Sequence, residues 1–361
     1  MDALGSKDGK VEKSTMSEPR ISVVMAVYQG ERFLAEAIES ILSQTEESFE
    51  FIIVDDAGND NSVAIIEDYQ TRDPRIVLIR NQENLGLGGS LRVGVNAARG
   101  EFIARMDCDD VSPVDRFALQ LAYLDQHPEI AILGGNHRMI DESGHDLGPF
   151  DYPQSPIMIR WNMLLGNGLI VSNGATMMRR DFLLRLGNYA DLRAAQDYEL
   201  WSRTFSMEPL PIANLEENVL YYRQHSTTIT KTSRSYQEQV AVGVRKAQIE
   251  GLLNKSIDQD VVLAYRHPGN YEKIDKILAE WISIYAAFFK RFSASGDEIA
   301  EINREFLQRL GRYIYFNLFT KDKNGRVPFY RVRKMIPPKM CKALLDNKRG
   351  KTRHEEVLVE L

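Results

Sequence analysis

Three aspartates crowd into four residues, Asp107-Cys108-Asp109-Asp110, directly after the apolar run Glu101–Met106. In an extended chain Asp107 and Asp109 point to the same side, so two negative charges converge and repel. A divalent cation removes that repulsion, and hard carboxylate oxygens select Mg²⁺ or Mn²⁺ over softer metals. The bland alternative is a solvated acidic turn that caps a helix starting at Pro113, for which Asp110 or Ser112 would suffice. Cys108 reads as a small space-filler, because no second soft ligand is near it in sequence. A second acidic pair, Asp55-Asp56, closes the run FIIV. A carboxylate in that position can accept a hydrogen bond from a nucleobase imide or a ribose hydroxyl; its alternative is an Asx turn or helix cap. Gly86-Leu87-Gly88-Gly89 fits neither a dinucleotide fingerprint nor a P-loop, so it reads as a tight loop.

These acids need elements to hold them. From Ile21 to Asp110 short apolar runs alternate with amphipathic stretches, the pattern of a parallel sheet covered by helices. Ile21–Tyr28, Phe51–Val54, Ile76–Ile79 and Glu101–Met106 read as strands, with helices at Glu31–Ser43, after Ser62, and at Ser90–Ala98. Each acidic cluster therefore stands at the carboxyl end of a strand, where open α/β sheets bind ligands, and Tyr28 ends the first strand on the same rim. A helix follows at Pro113–Gln126, then a strand at Ile130–Leu133, a hairpin near Asp141–Gly144, a strand at Ala175–Met178, a helix through Asp197–Trp201 and a strand at Val219–Arg223. Past about Ser235 the strand signals stop, and the patterns Ile274–Phe292 and Ile299–Phe319 are helical.

Composition narrows the field. The chain has 361 residues, 43% hydrophobic and 27% charged, which suits an ordinary globular protein and rules out collagen or a disulfide scaffold. Its net charge of −6 is unevenly spread: residues 321–361 hold 12 Lys/Arg against 5 Asp/Glu, and the rest of the chain 33 against 46. An acidic body argues against nucleic-acid binding. Two cysteines far apart, Cys108 and Cys341, fit a reducing cytoplasmic compartment. The first 19 residues carry no apolar stretch of signal-peptide length and read as a disordered leader. No apolar run is long enough to span a membrane.

Taken together, SVVMAVYQGERFLAEAIESILSQT, FIIVDDAGND, NQENLGLGGSLRVGVNAARGEFIARMDCDD and QDYELWSR resemble glycosyltransferase family 2 over about residues 20–230. The resemblance implies the A-type nucleotide-sugar fold, a Rossmann-like mixed sheet flanked by helices. With the periodicity and charge split above, the chain is expected to divide into a catalytic domain at 20–234, a helical C-terminal region at 235–320 and a basic tail at 321–361. It implies a nucleotide-diphosphate sugar donor, usually a uridine one, with base and ribose near Ala26, Tyr28 and Asp56. The family's Asp-x-Asp motif falls on Asp107 and Asp109, which hold ribose and a Mn²⁺ or Mg²⁺ ion on the diphosphate; Asp110 can share this role. Asp197 matches the general base of inverting members, and His225 matches a histidine that approaches the diphosphate or metal. Alone, Asp197 would read as a helix-start acid and His225 as a surface residue. Gln196 stands where the family usually has Glu, and Asn173 where many members have His, so acceptor contacts transfer less well than donor contacts.

The expected reaction is sugar transfer with inversion to an acceptor hydroxyl on a glycan or a lipid-linked saccharide. Two alternatives stay open: a nucleotide-sugar-binding protein without turnover, and a sugar nucleotidyltransferase, although Gln29-Gly30-Glu31-Arg32 is poor in the Gly-rich, Arg-containing loop of that class. An oxidoreductase is disfavoured by the missing dinucleotide fingerprint. Residues 321–353 interleave Lys and Arg with Phe329, Tyr330, Met335, Ile336 and Met340, a mixture suited to an anionic membrane surface. The alternative is a solvated tail or one packed on the acidic body.

Overall fold

The computed structural model describes residues 18–165, 168, 170–225, 234–267 and 274–314. Strands β1 (Ile21–Val27), β2 (Phe49–Asp55), β3 (Ile76–Arg80) and β4 (Phe102–Asp107) pair in parallel in the order β3-β2-β1-β4. β1 is apolar at almost every position because both of its faces are covered. Ile21, Val23, Met25 and Val27 face one core cluster and Val24 faces the other. Helices α1 (Leu34–Leu42), α2 (Ser62–Arg72) and α4 (Arg116–Gln126) supply the first cluster through residues such as Ile38, Ile66 and Phe117. Helix α3 (Gly86–Ala97) supplies the second through Leu91 and Val95.

Past β4 the sheet becomes mixed. β7 (Met177–Arg179) runs antiparallel between β4 and β5 (Ile132–Ile140), β6 (Asp146–Phe150) forms a hairpin with β5, and β8 (Ile212–Arg223) lies parallel to β5. β5 and β8 are longer than their apolar runs indicate. Their outer halves carry polar and aromatic residues that the hairpin and the ladder absorb. Helix α5 (Pro156–Leu164), α6 (Arg180–Arg185) and α7 (Gln196–Ser202) complete the part of the chain before the C-terminal helices. α5 carries no readable periodicity because it is buried all round, Ile157 to Leu164 without exception.

The helical C-terminal region is present as α8 (Arg234–Leu253), α9 (Gln259–Arg266), α10 (Ile274–Arg291) and α11 (Gly296–Ile314). It shares one core with the sheet. The ring of Trp161 on α5 sits 5.2 Å from Phe288 and 6.1 Å from Phe306, and its Nε1 donates to Glu305 at 2.8 Å. The expected leader at 1–19, apart from its last two residues, and the basic tail at 321–361 lie outside the described residues.

One local reading is corrected. Gly86 to Gly89 do not form a loop but the first turn of α3. The glycines are there for space: a Cβ on Gly88 would stand 2.5 Å from the Ala190 carbonyl oxygen and 2.8 Å from that of Leu192. The segment before α7 thus crosses directly over the start of α3.

Candidate active site

The ladder sets the carboxyl ends of β1, β2 and β4 side by side, Ala26 opposite Asp107 and Val27 opposite Asp55. A cleft of about 1040 Å³ opens above them, and Ala26, Tyr28, Asp56, Asp107, Asp109 and His225 all line it. Six expected site residues from distant parts of the sequence thus meet in one place. Asp197 is not among the lining residues.

At the β2 end, Asp56 is buried and accepts three hydrogen bonds: from the backbone N–H groups of Leu85 and Gly86 at 2.8 and 2.9 Å, and from Asn81 Nδ2 at 2.9 Å. It therefore fastens the β3–α3 connection to the sheet. Its two oxygens offer about four lone-pair sites, so one acceptor position is left for a ligand. Tyr28, half exposed at 52%, faces the same cleft from β1.

At the β4 end the backbone is not extended as the sequence reading assumed. The strand stops at Asp107 and the chain turns through Cys108 and Asp109. Asp107 Oδ2 forms an ion pair with Arg105, a fully buried guanidinium, so one of the two converging charges already has a cationic partner. Asp109 Oδ2 lies 2.8 Å from His225 Nε2. Burial, reinforced by the Asp107 charge, raises the Asp109 carboxyl above its ordinary value, and the His225 contact opposes the rise. Asp110 is buried deeper. Its Oδ1 accepts the Arg223 backbone N–H at 2.8 Å, while its Oδ2 has no partner among the described residues. Burial first, then the charges of Asp109 and Asp107, push its carboxyl far up. Cys108 packs against Gly30, where a Cβ would stand 3.1 Å from its Sγ, and burial raises its thiol. That is the space-filling role expected of it.

This donor set fits a hard divalent cation. It is built of carboxylate oxygens with an imidazole beside them, and it contains an orphaned buried oxygen on Asp110. No group of three or more His, Cys, Asp or Glu side chains among the described residues is already arranged as a metal cage. Mg²⁺ in particular is usually held by one or two carboxylates with substrate phosphates and water completing the shell.

Asp197 is the second residue of α7, which follows Ala195 in a left-handed conformation at φ 60°, and its Oδ1 accepts the Tyr198 N–H at 2.7 Å. Burial raises its carboxyl; the Arg105 charge holds it down and the Asp107 charge raises it further. Arg105 thus acts on both Asp107 and Asp197, and Tyr152 and Tyr189 border the same charges. Gln196, in place of the usual Glu, is buried with its Oε1 unpartnered among the described residues. Asn173 begins a 3₁₀ turn whose next residue, Gly174, stands against the acids: a Cβ there would lie 2.8 Å from Asp107 Oδ2 and 3.1 Å from Asp110 Oδ2.

Sequence reasoning missed the arginines. Arg105 sits inside an apolar strand, and that misplaced charge two residues before Asp107 was the available signal. Arg193 lines the cleft with no ion pair or hydrogen bond among the described residues, and nothing in its sequence surroundings sets it apart. Arg32, which also lines the cleft, is instead paired with Glu142 at 2.6 Å.

The fold is a mixed sheet flanked by helices with a rim of acids at its carboxyl edge. The model of glycosyl transferase family 2 matches residues 22–187. An uncharacterized glycosyltransferase of Methanocaldococcus jannaschii is 35% identical over 210 residues, 58% of this chain and 72% of the relative. The O-antigen biosynthesis glycosyltransferase WbnJ of Escherichia coli is 30% identical over 227 residues, 63% of this chain and 88% of the relative. The chain belongs to glycosyltransferase family 2. Its fold is similar to that of S. aureus TarS 1–349, solved in complex with UDP-GlcNAc, with a TM-score of 0.53 at 18% identity over 94% of this chain and 90% of that one. That likeness is one of fold.

Proposed function

We propose that this glycosyltransferase moves a sugar from a nucleotide-diphosphate donor, a UDP-sugar by preference, to a hydroxyl of a glycan or lipid-linked saccharide, by single displacement with inversion. The observation that carries the reading is the convergence of Ala26, Tyr28, Asp56, Asp107, Asp109 and His225 on one cleft at the carboxyl edge of the sheet. The role of WbnJ in O-antigen biosynthesis favours a polysaccharide acceptor.

In this reading the β1 and β2 ends take the nucleoside: Asp56 accepts from the base or ribose, and Ala26 leaves room for the ring beside Tyr28. Asp107, held by Arg105, takes ribose. Asp109 and Asp107, with His225 beside them, would hold Mn²⁺ or Mg²⁺, which supplies positive charge to the leaving diphosphate. The guanidinium of Arg193, which has no ion pair among the described residues, adds a second positive charge in the same cleft. Asp197 accepts the proton of the attacking hydroxyl as the acceptor oxygen bonds to the anomeric carbon and the bond to the diphosphate oxygen breaks. One base suffices, since inversion needs no carboxylate nucleophile.

Family membership favours transfer over the nucleotidyltransferase and binding-only alternatives. Hydrolysis of UDP-sugars tests the reading directly. Wild type should release UDP only with Mn²⁺ or Mg²⁺ present, and Asp109→Ala should lose that release. Unchanged turnover in the presence of a chelator rules out the metal role.

A further inference from the structure

Arg223, at the end of β8, is 2% exposed and hydrogen-bonds to several elements at once. Its Nε donates to the Asp109 carbonyl at 2.9 Å, and its backbone N–H donates to Asp110 Oδ1 at 2.8 Å. Its Nη1 reaches the carbonyls of Asp141 and Glu142 in the β5–β6 turn at 3.3 and 3.4 Å. Its Nη2 is paired at 2.6 Å with Glu36 Oε2 on α1, a carboxylate that is 55% exposed. The guanidinium also lies 4.7 Å over the ring of Phe33, which in turn neighbours the His225 ring at 5.2 Å.

These contacts close a circuit. Arg223 grips the Asp109 main chain, the Asp109 carboxylate meets His225, His225 packs on Phe33, and Phe33 packs under Arg223. A guanidinium has five donors in a fixed fork, so anchoring one arm fixes the direction of the others. Resting on the donor-site reading above, we infer that the Arg223–Glu36 pair is a positioning device that aims Asp109 and His225 at the metal-bound diphosphate. Glu36, on the outside of α1 and touching no substrate, then controls the diphosphate end of the cleft without affecting the nucleoside end. Partners that orient metal ligands from outside typically change metal affinity by about 10–100-fold when removed.

The test is calorimetric titration of UDP, with and without Mn²⁺, into wild type, Glu36→Gln, Glu36→Asp and Arg223→Lys, with melting temperature measured for each. Glu36→Gln should need about 10-fold more Mn²⁺ for half of the metal-induced gain in UDP affinity. Its metal-free UDP affinity and melting temperature should stay at wild-type values. Glu36→Asp, which keeps the charge, should recover part of the gain, and Arg223→Lys should lose at least as much as Glu36→Gln. An Mn²⁺ requirement that is the same in Glu36→Gln, Arg223→Lys and wild type overturns the inference. So does a loss that is equal with and without metal, which would mark the pair as merely structural. Wild type that binds no UDP at all would instead overturn the donor-site reading itself.

Discussion

At the scale of single residues, the site is a balance of buried charge. Asp109, Asp110 and Asp197 are all raised by burial; the buried cation Arg105 is set against Asp110 and Asp197, and His225 against Asp109. Asp197→Asn should lower turnover by about 10²–10⁴-fold while UDP affinity is unchanged. Because burial lifts the Asp197 carboxyl above 3.8, wild-type kcat should fall on the acid side at a midpoint above that of an ordinary aspartate. A base must be ionised to act, so the loss comes as pH falls. The pH profile of kcat checks this, and turnover retained in Asp197→Asn places the base elsewhere. The acids were legible in the sequence because they interrupt apolar strands at their ends. Of the arginines beside them, Arg105 leaves a mark two residues before Asp107, whereas Arg223 meets Asp110 and Asp109 across 113 and 114 positions and leaves no local one.

At the scale of elements, the parallel half of the sheet could be read almost strand by strand, because doubly buried strands are continuous apolar runs. The start of α3 could not, because Gly88 answers to the Ala190 and Leu192 carbonyls, about a hundred positions away, rather than to its neighbours in sequence. The β5–β6–β8 corner hides a titratable element as well. His137 on β5 stacks on Phe150 at 4.8 Å and lies 5.4 Å from Tyr222 and 5.5 Å from Tyr152. Burial lowers it from 6.5 to about 4, so the folded chain keeps it neutral where the unfolded chain takes up a proton. Its contribution to stability is intact above about pH 6.5 and is lost as pH falls toward 4. On this ground, wild type should be about 2 kcal/mol less stable at pH 5 than at pH 7, a difference missing from His137→Phe. Urea unfolding of both proteins at the two pH values measures it; an equal pH dependence contradicts the assignment.

At the scale of the whole molecule, the C-terminal helices are a wall of the same core rather than an appendage, as the Trp161 contacts with Phe288 and Phe306 show. The sequence marked those helices by their period but not their docking, because α5, the element they dock on, has no polar face. No helix among the described residues is long and apolar enough to cross a membrane. We propose, on composition alone, that the basic, aromatic residues 321–353 meet an anionic membrane surface that carries a lipid-linked acceptor. Removing residues 321–361 should reduce co-sedimentation with anionic liposomes, increasingly so at low salt. Equal pelleting of the two chains defeats that placement.

A crystal soaked with UDP and Mn²⁺ decides most directly whether this cleft is the donor site. The base should lie beside Tyr28 and Asp56, with the ion joining Asp109 to the diphosphate. A nucleotide bound away from the ends of β1, β2 and β4, or a diphosphate turned away from Asp109, would contradict it.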